Sequence, residues 1–262
     1  MDSLRVLYTY TYYFPWFLLI FIRILAIIYF FPFLGSQNIP WQAKAGLAGT
    51  LSLLLLPLLK PQIVEFTLWT LVFGILRELL VGMTLGFVIR LVFDGIQLGG
   101  QFIGYQMGFA IVNVIDPYSS TQVSIIARFQ GLLALLVFLT LNAHYFLISG
   151  LIKSFTLVPL SGWVFNGKLA AQLIRLTGGM FVIAIKIAAP VLVTLIFTHI
   201  GLALIARTMP QINVFIVGFP LEIGMGFLML GLAMPFFAWC FKHVFTQTFH
   251  EMLLSLRLMG GY

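Results

Sequence analysis

The sequence predicts an all-α, polytopic membrane protein with long helices broken by proline and glycine, and two observations carry that prediction. Of 262 residues, 61% are hydrophobic and only 8% are charged, whereas a soluble domain carries roughly a quarter charged residues. The mean hydropathy is +1.10, and the apolar residues run in continuous segments, without the period-two alternation of a membrane β-barrel. The formal charge of +7 comes from Lys and Arg scattered singly. With no basic patch or run, it does not describe a nucleic-acid surface, and it fits the cations that membrane proteins keep on cytoplasmic loops. Cys240 is the only cysteine, which excludes an internal disulfide and a multi-cysteine metal site. Arg5 precedes an aromatic run but no A-x-A-like site follows, so no cleaved signal peptide is expected.

Taken in order, the first apolar segment covers residues 13–34, with Pro15 near its start, Arg23 inside and Pro32 near its end. Residues 35–41 (GSQNIPW) are a turn by composition. The second segment, 41–59, stops at the breaker formed by Pro57, Lys60 and Pro61. The third, 66–93, holds Arg77, Glu78 and Arg90; a glycine-rich stretch, 95–117, and a polar loop, 118–124, come next. The fourth segment, 125–152, is the most plainly hydrophobic. A mixed connector, 153–172, contains Pro159, Gly162 and Gly167. Segments 180–206 and 214–241 then flank a short turn at 207–213, and the tail, 242–262, is amphipathic. Six segments of about the 20 residues that span a bilayer core are therefore expected, besides the glycine-rich stretch.

Charge placement within these segments is unusual. Arg23, Arg77, Glu78, Arg90, Lys186 and Glu222 fall where a lipid-facing helix carries none, and burying a charge there costs at least about 3 kcal/mol unless it faces protein or water. Most Lys and Arg sit in or beside apolar segments, so loop charge assigns no orientation. Pro190, Pro220 and Pro235 interrupt helices, which is tolerated where neighbours or a cavity satisfy the freed backbone groups. The chain is thus expected to pack against partners over much of its surface. Arg77 and Glu78 are adjacent and point about a hundred degrees apart on a helix. Arg90 and Asp94 are four apart and can pair near a helix end. Arg77, Glu78, Arg90, Asp94, Lys186 and Glu222 are the candidate intersubunit charges.

The stretch 95–117 reads GIQLGGQFIGYQMGFAIVNVIDP. Gly100, Gly104 and Gly108 recur every four residues, and Gly95 with Gly99 repeats the interval one step earlier, so one face of a helix is bare. Gln97 and Gln101 add amides beside it. Ordinary small-residue helix packing explains the glycines. It does not explain why they lead into Phe109, Ala110, Ile111, Val112, Val114 and Ile115, stopped by Asp116 and Pro117. An apolar loop at membrane depth is viable only when buried in protein or lining a pore, where it can shut a passage by excluding water.

No HExxH, GxSxG or GxxxxGK[ST] motif is present. His144, His199, His243 and His250 are dispersed, and the seven-residue spacing of the last two suits no shared metal. No enzyme and no cofactor is expected.

Two motifs then carry a resemblance. Gly100–Gln101, Gly104, Gln106–Met107–Gly108–Phe109–Ala110 and Asp116–Pro117 form one. Met209–Pro210–Gln211–Ile212–Asn213–Val214–Phe215, continuing into Gly218–Phe219–Pro220–Leu221, forms the other. Arg23, Pro32, Ile39–Pro40, Pro57, Asn142, His144 and Pro159 add weaker support. The chain resembles the FliR family, flagellar biosynthesis proteins of the type III secretion export gate related to the SctT proteins of injectisomes. The intact QMGFA form resembles the flagellar branch. Glu222 departs from the pattern, which has lysine or a neutral residue after GFPL.

The resemblance implies a pore subunit at the flagellar basal body in the bacterial inner membrane, assembled with FliP-like and FliQ-like subunits and passing unfolded flagellar proteins. It implies a FliP-like part, 1–177, and a FliQ-like hairpin with tail, 178–262, turning at Pro210, Gln211 and Asn213. It also implies that Met107 through Pro117 plug the closed channel. ATP hydrolysis and proton coupling would belong to other components, FlhB-like and FlhA-like proteins among the export partners. A proton-coupled secondary transporter using Glu222, Lys186 or Arg77 with Glu78 is the alternative, though the halves show no sequence repeat. A purely structural assembly nucleus is a third reading.

Overall fold

Long apolar runs become long helices in the computed structural model, which describes residues 2–59, 67–109, 124–164, 166–211 and 213–261. Among these residues there are eight α-helices and no strand: α1 (Asp2–Phe30), α2 (Trp41–Leu55), α3 (Leu68–Gln106), α4 (Ile125–Thr140), α5 (His144–Leu157), α6 (Gly167–Thr208), α7 (Val214–Leu232) and α8 (Met234–Met259). The all-α class is as expected from composition.

The number of bilayer crossings is not. Among the described residues, three helices are individually long and apolar enough, Tyr13–Phe30, Leu68–Gln106 and Gly167–Thr208, or up to five if each of two bent pairs is one span. Segment 41–59 fails on length: α2 has 15 residues, about 22 Å of helix against a hydrocarbon core of about 30 Å. Segment 66–93 does not stop before the glycines. It runs on as the 39-residue α3, because Arg90 and Asp94 are polar but break no helix. Segment 125–152 bends by 74° between α4 and α5. Asn142 takes φ 51° there, and Ala143 N–H donates to Phe138 O while Asn142 N–H donates to Leu139 O. That is a left-handed helix cap made by asparagine rather than glycine. Segment 214–241 bends by 58° between α7 and α8, beside Pro235, which has no N–H to continue the ladder. Pro190 and Pro220 lie inside α6 and α7, which continue through them.

The helices pack as two compact units interleaved along the chain. The first comprises Met1–Leu91, His144–Leu176 and Thr248–Tyr262, with Ile20, Ile24, Ile28, Ala48 and Phe155 at its core. Here α3 meets α1 through a second glycine series. A Cβ on Gly82 would lie 2.5 Å from Arg23 O, and one on Gly86 would lie 2.4 Å from Phe30 Cβ. Arg23 is fully buried. Its Nε donates to Glu78, and its two Nη atoms reach Ser154 O at 2.9 Å and Val158 O at 3.0 Å. Both carbonyls lie at the end of α5, where the helix dipole favours a cation, and Ser154 O also accepts from Val158 N–H at 2.9 Å. The guanidinium also lies 4.4 Å from the Phe155 ring centre. Glu78 accepts from Ser161 N–H at 2.8 Å, and Arg77 donates to Ser161 O at 2.7 Å. Arg77 and Glu78, two of the candidate intersubunit charges, are thus bonded within their own chain.

The second unit comprises Val92–Ala143 and Thr177–Gln247. Ile103, Met107, Ile126, Ala188, Val191, Leu195 and Leu230 form its core. Phe138 meets Phe93 and Phe245 at centroid distances of 5.9 and 5.4 Å. This unit holds the candidate site.

Candidate functional site

The site is the C-terminal end of α3, and its glycines serve two neighbours rather than one groove. Gly95 and Gly99 face α6: a Cβ on Gly99 would lie 2.8 Å from Ala184 O, and one on Gly95 3.0 Å from Met180 O. Gly100 and Gly104 face the start of α4, with Ala127 Cα 2.6 Å and Ser124 Oγ 2.1 Å from the added carbon. Ser124 caps α4 by accepting from Ile126 N–H at 3.2 Å. Gln97 lies over Gly131, its Nε2 3.3 Å from where a Cβ would be. Close packing of bare faces accounts for these glycines, against backbone at Gly95, Gly99 and Gly100 and against the Ser124 side chain at Gly104.

Gly108 is different. Its φ is +85°, a value L side chains adopt only with strain. Phe109 N–H donates to Gly104 O at 3.0 Å and Gly108 N–H to Tyr105 O at 3.1 Å. This is the paired bonding of a Schellman cap, which closes α3 and fixes the direction in which the chain leaves. The Phe219 ring covers Gly108 at 2.9 Å from an added Cβ. Gly108→Ala is therefore expected to destabilise this end of α3 by about 1–3 kcal/mol. Faster amide exchange across residues 103–109 is the measurement that checks it; unchanged protection would show that the cap does not hold the helix end.

Around the cap, α7 offers Phe219, Glu222 and Gly226, which share one face. Met107 is fully buried and seats on Gly226, its Cε 2.6 Å from where a Cβ would be. Its side chain belongs to the core, whereas the resemblance placed it in the plug. Phe109 meets Phe227 edge to face at 6.4 Å. Gln106 Nε2 is 2.9 Å from His199 Nδ1, and His199 Nε2 is 2.6 Å from Glu222 Oε1. Composition and spacing did not reveal this trio: His199 and Glu222 were each noticed alone, and helical periodicity cannot pair residues on different helices.

The remaining predicted residues divide simply. Ala110, Ile111, Val112, Val114, Ile115, Asp116 and Pro117 lie outside the described residues. What is described is where that stretch starts and finishes: Phe109 leaves from Gly108, and Ser124 returns against Gly104, one turn earlier on the same helix. Pro210, Gln211 and Asn213 are exposed between α6 and α7, and Asn213 O accepts from Ile216 N–H at 3.1 Å at the start of α7. Arg90 is exposed and Asp94 half-buried, a turn apart on α3; Lys186 is exposed on α6. Among the described residues, no three His, Cys, Asp or Glu side chains gather to hold a metal ion.

A multi-pass α-helical chain with such a site matches a family of exporters. Residues 14–248 fit the family model of bacterial export proteins, family 1, and the chain belongs to that family. Its relatives include three proteins each named flagellar biosynthetic protein FliR. The one from Bacillus subtilis is 36% identical, covering 94% of this chain and 96% of the relative. The one from Escherichia coli K12 is 32% identical, covering 87% and 88%. The one from Aquifex aeolicus is 32% identical, covering 83% and 84%. The resemblance read from the two motifs is therefore met along nearly the whole chain.

Proposed function

We propose that this chain is a core subunit of the flagellar type III protein export gate, forming part of the pore for unfolded flagellar proteins. Residues 108–117 plug the closed channel. The observation that carries this reading is the pinning of both ends of the loop on the last turn of a glycine-faced helix, by the Gly108 cap and by Ser124 on Gly104. Its apolar residues suit a seal that excludes water rather than a binding surface. The division into a FliP-like part, 1–177, and a FliQ-like hairpin, 178–262, belongs to the same proposal. So do assembly with FliP-like and FliQ-like subunits, work beside FlhB-like and FlhA-like components, and residence in the inner membrane at the basal body. The chain contributes packing and passage, with no catalytic residue of its own. Exposed Lys186, on an apolar face of α6, is the charge best placed to meet a partner subunit.

Deleting residues 109–115 tests the plug. A gate that still assembles is expected to leak ions across the membrane, read as loss of vesicle potential; an unchanged leak would remove the assignment. The His199 and Glu222 pair is what a stand-alone proton-coupled transporter would want. Native mass spectrometry of the chain co-expressed with FliP-like and FliQ-like proteins separates the readings, since a stable chain that never joins them favours the transporter.

A further inference from the structure

Gln106, His199 and Glu222 come from three helices and meet behind the α3 cap. Glu222 is 9% exposed, its Oε1 3.8 Å from where a Cβ on Gly218 would be. A carboxylate so nearly withdrawn from water requires a donor, and His199 Nε2 supplies one in either protonation state. With Nδ1 accepting from the Gln106 amide, the ring is neutral and its single N–H points to Glu222. When a second proton binds, Nδ1 becomes a donor. The Gln106 amide then turns by half a rotation so that its oxygen accepts, without moving the helix. The proton comes from solvent and stays on Nδ1, and no other bond changes. What changes is charge: the neutral ring becomes a cation facing a carboxylate, and a charge-assisted hydrogen bond becomes an ion pair.

The location of the trio gives that change a consequence. Gln106 is the last residue of α3, next to Met107 and Gly108. Glu222 stands on α7 between Phe219, which covers Gly108, and Gly226, which receives Met107. The bonds through His199 therefore tie α6 and α7 to the residue from which the loop departs. We infer that Gln106, His199 and Glu222 form a proton-binding clasp that positions the end of α3, and with it the seal. This rests on the plug reading for its effect on the channel, though not for its existence.

The sign follows from the charges. With the second proton bound, cation and carboxylate attract and the clasp is tight; once that proton leaves, the cation is lost and the hold weakens. From α3 the facing polar group is Gln106, and from α7 it is Glu222. On α6 itself the cations nearest in sequence are Arg207, two turns on, and Lys186, further back, both exposed. Among the described residues, no bond joins either to the pair.

The test uses the assembled gate in vesicles, with ion leak followed between about pH 5 and pH 8. The intact gate is expected to leak several-fold more at the high end. His199→Asn, which keeps a hydrogen-bonding side chain but cannot titrate, and Glu222→Gln are expected to flatten the profile. A flat profile in the intact gate, with the loop deletion still leaky, overturns the clasp and leaves the plug standing. A deletion that does not leak overturns the plug. In that case amide exchange across residues 103–109 of the intact complex decides for the clasp. Slower exchange at low pH, after correction for intrinsic rates, supports it; equal protection overturns it, with no variant needed.

Discussion

Arg23→Ala is expected to prevent the chain from accumulating in folded form. The guanidinium neutralises Glu78, closes the carbonyls of Ser154 and Val158, and has no exposed surface. Removing one member of a buried ion pair costs about 3–5 kcal/mol, because the other charge stays behind without compensation. The Val158 carbonyl, which loses both of its Nη donors, adds about 1–3 kcal/mol. Set against a typical total stability of about 5–15 kcal/mol, little remains. Protease resistance in detergent would read the loss. A second comparison isolates the ion pair: Arg23→Met combined with Glu78→Leu is expected to be more stable than Arg23→Met alone, since no carboxylate is then stranded. If the double variant is no better than the single one, the pair is not what holds this unit together.

Gly100→Leu is expected to be the most damaging single addition to the second unit. Even its first carbon would lie 2.6 Å from Ala127 Cα, and backbone cannot step aside as a side-chain tip can. Overpacking of this kind costs about 1–3 kcal/mol, occasionally more, and here α4 must shift together with Ser124, which anchors the returning loop. Thermal unfolding of the purified chain would measure it. Gly224→Ala is the control, because nothing lies within 4 Å of its added carbon. It should gain the roughly 1 kcal/mol by which alanine exceeds glycine in a helix. Equal unfolding temperatures for the two variants would contradict the assignment of Gly100 to close helix packing. Gly178, Gly179 and Gly231 are likewise open in the chain alone. An alanine there that spares the isolated chain but blocks assembly would mark where a partner helix lies.

These contrasts show which parts of the molecule sequence can disclose. Hydropathy located most of the helices, four-residue spacing located the glycines of α3, and the break in apolar sequence at 207–213 located the turn between α6 and α7, because each is a local property. The series Gly74, Gly82 and Gly86 is equally local, though it shares its stretch with Arg77, Glu78 and Arg90. The bend at Asn142 is local too: asparagine takes the left-handed conformation more readily than other non-glycine residues. Arg90 and Asp94 suggested a boundary where none exists, since polarity does not interrupt a helix as proline does. Contacts between distant residues are a different matter. Arg23 and Glu78 are separated by 55 positions, and no periodicity specifies which buried cation meets which buried anion. The same holds for Gln106, His199 and Glu222.

Ser124 resting on Gly104, one turn before the Gly108 cap, has an evolutionary consequence. A segment that leaves and re-enters at one turn of one helix can be exchanged like a cartridge. Its length can change while both attachment points, and the fold behind them, stay as they are. Doubling such an insert costs only about 0.6 kcal/mol in closure entropy. Relatives could therefore differ in length within residues 110–123 and leave every helix of the scaffold untouched.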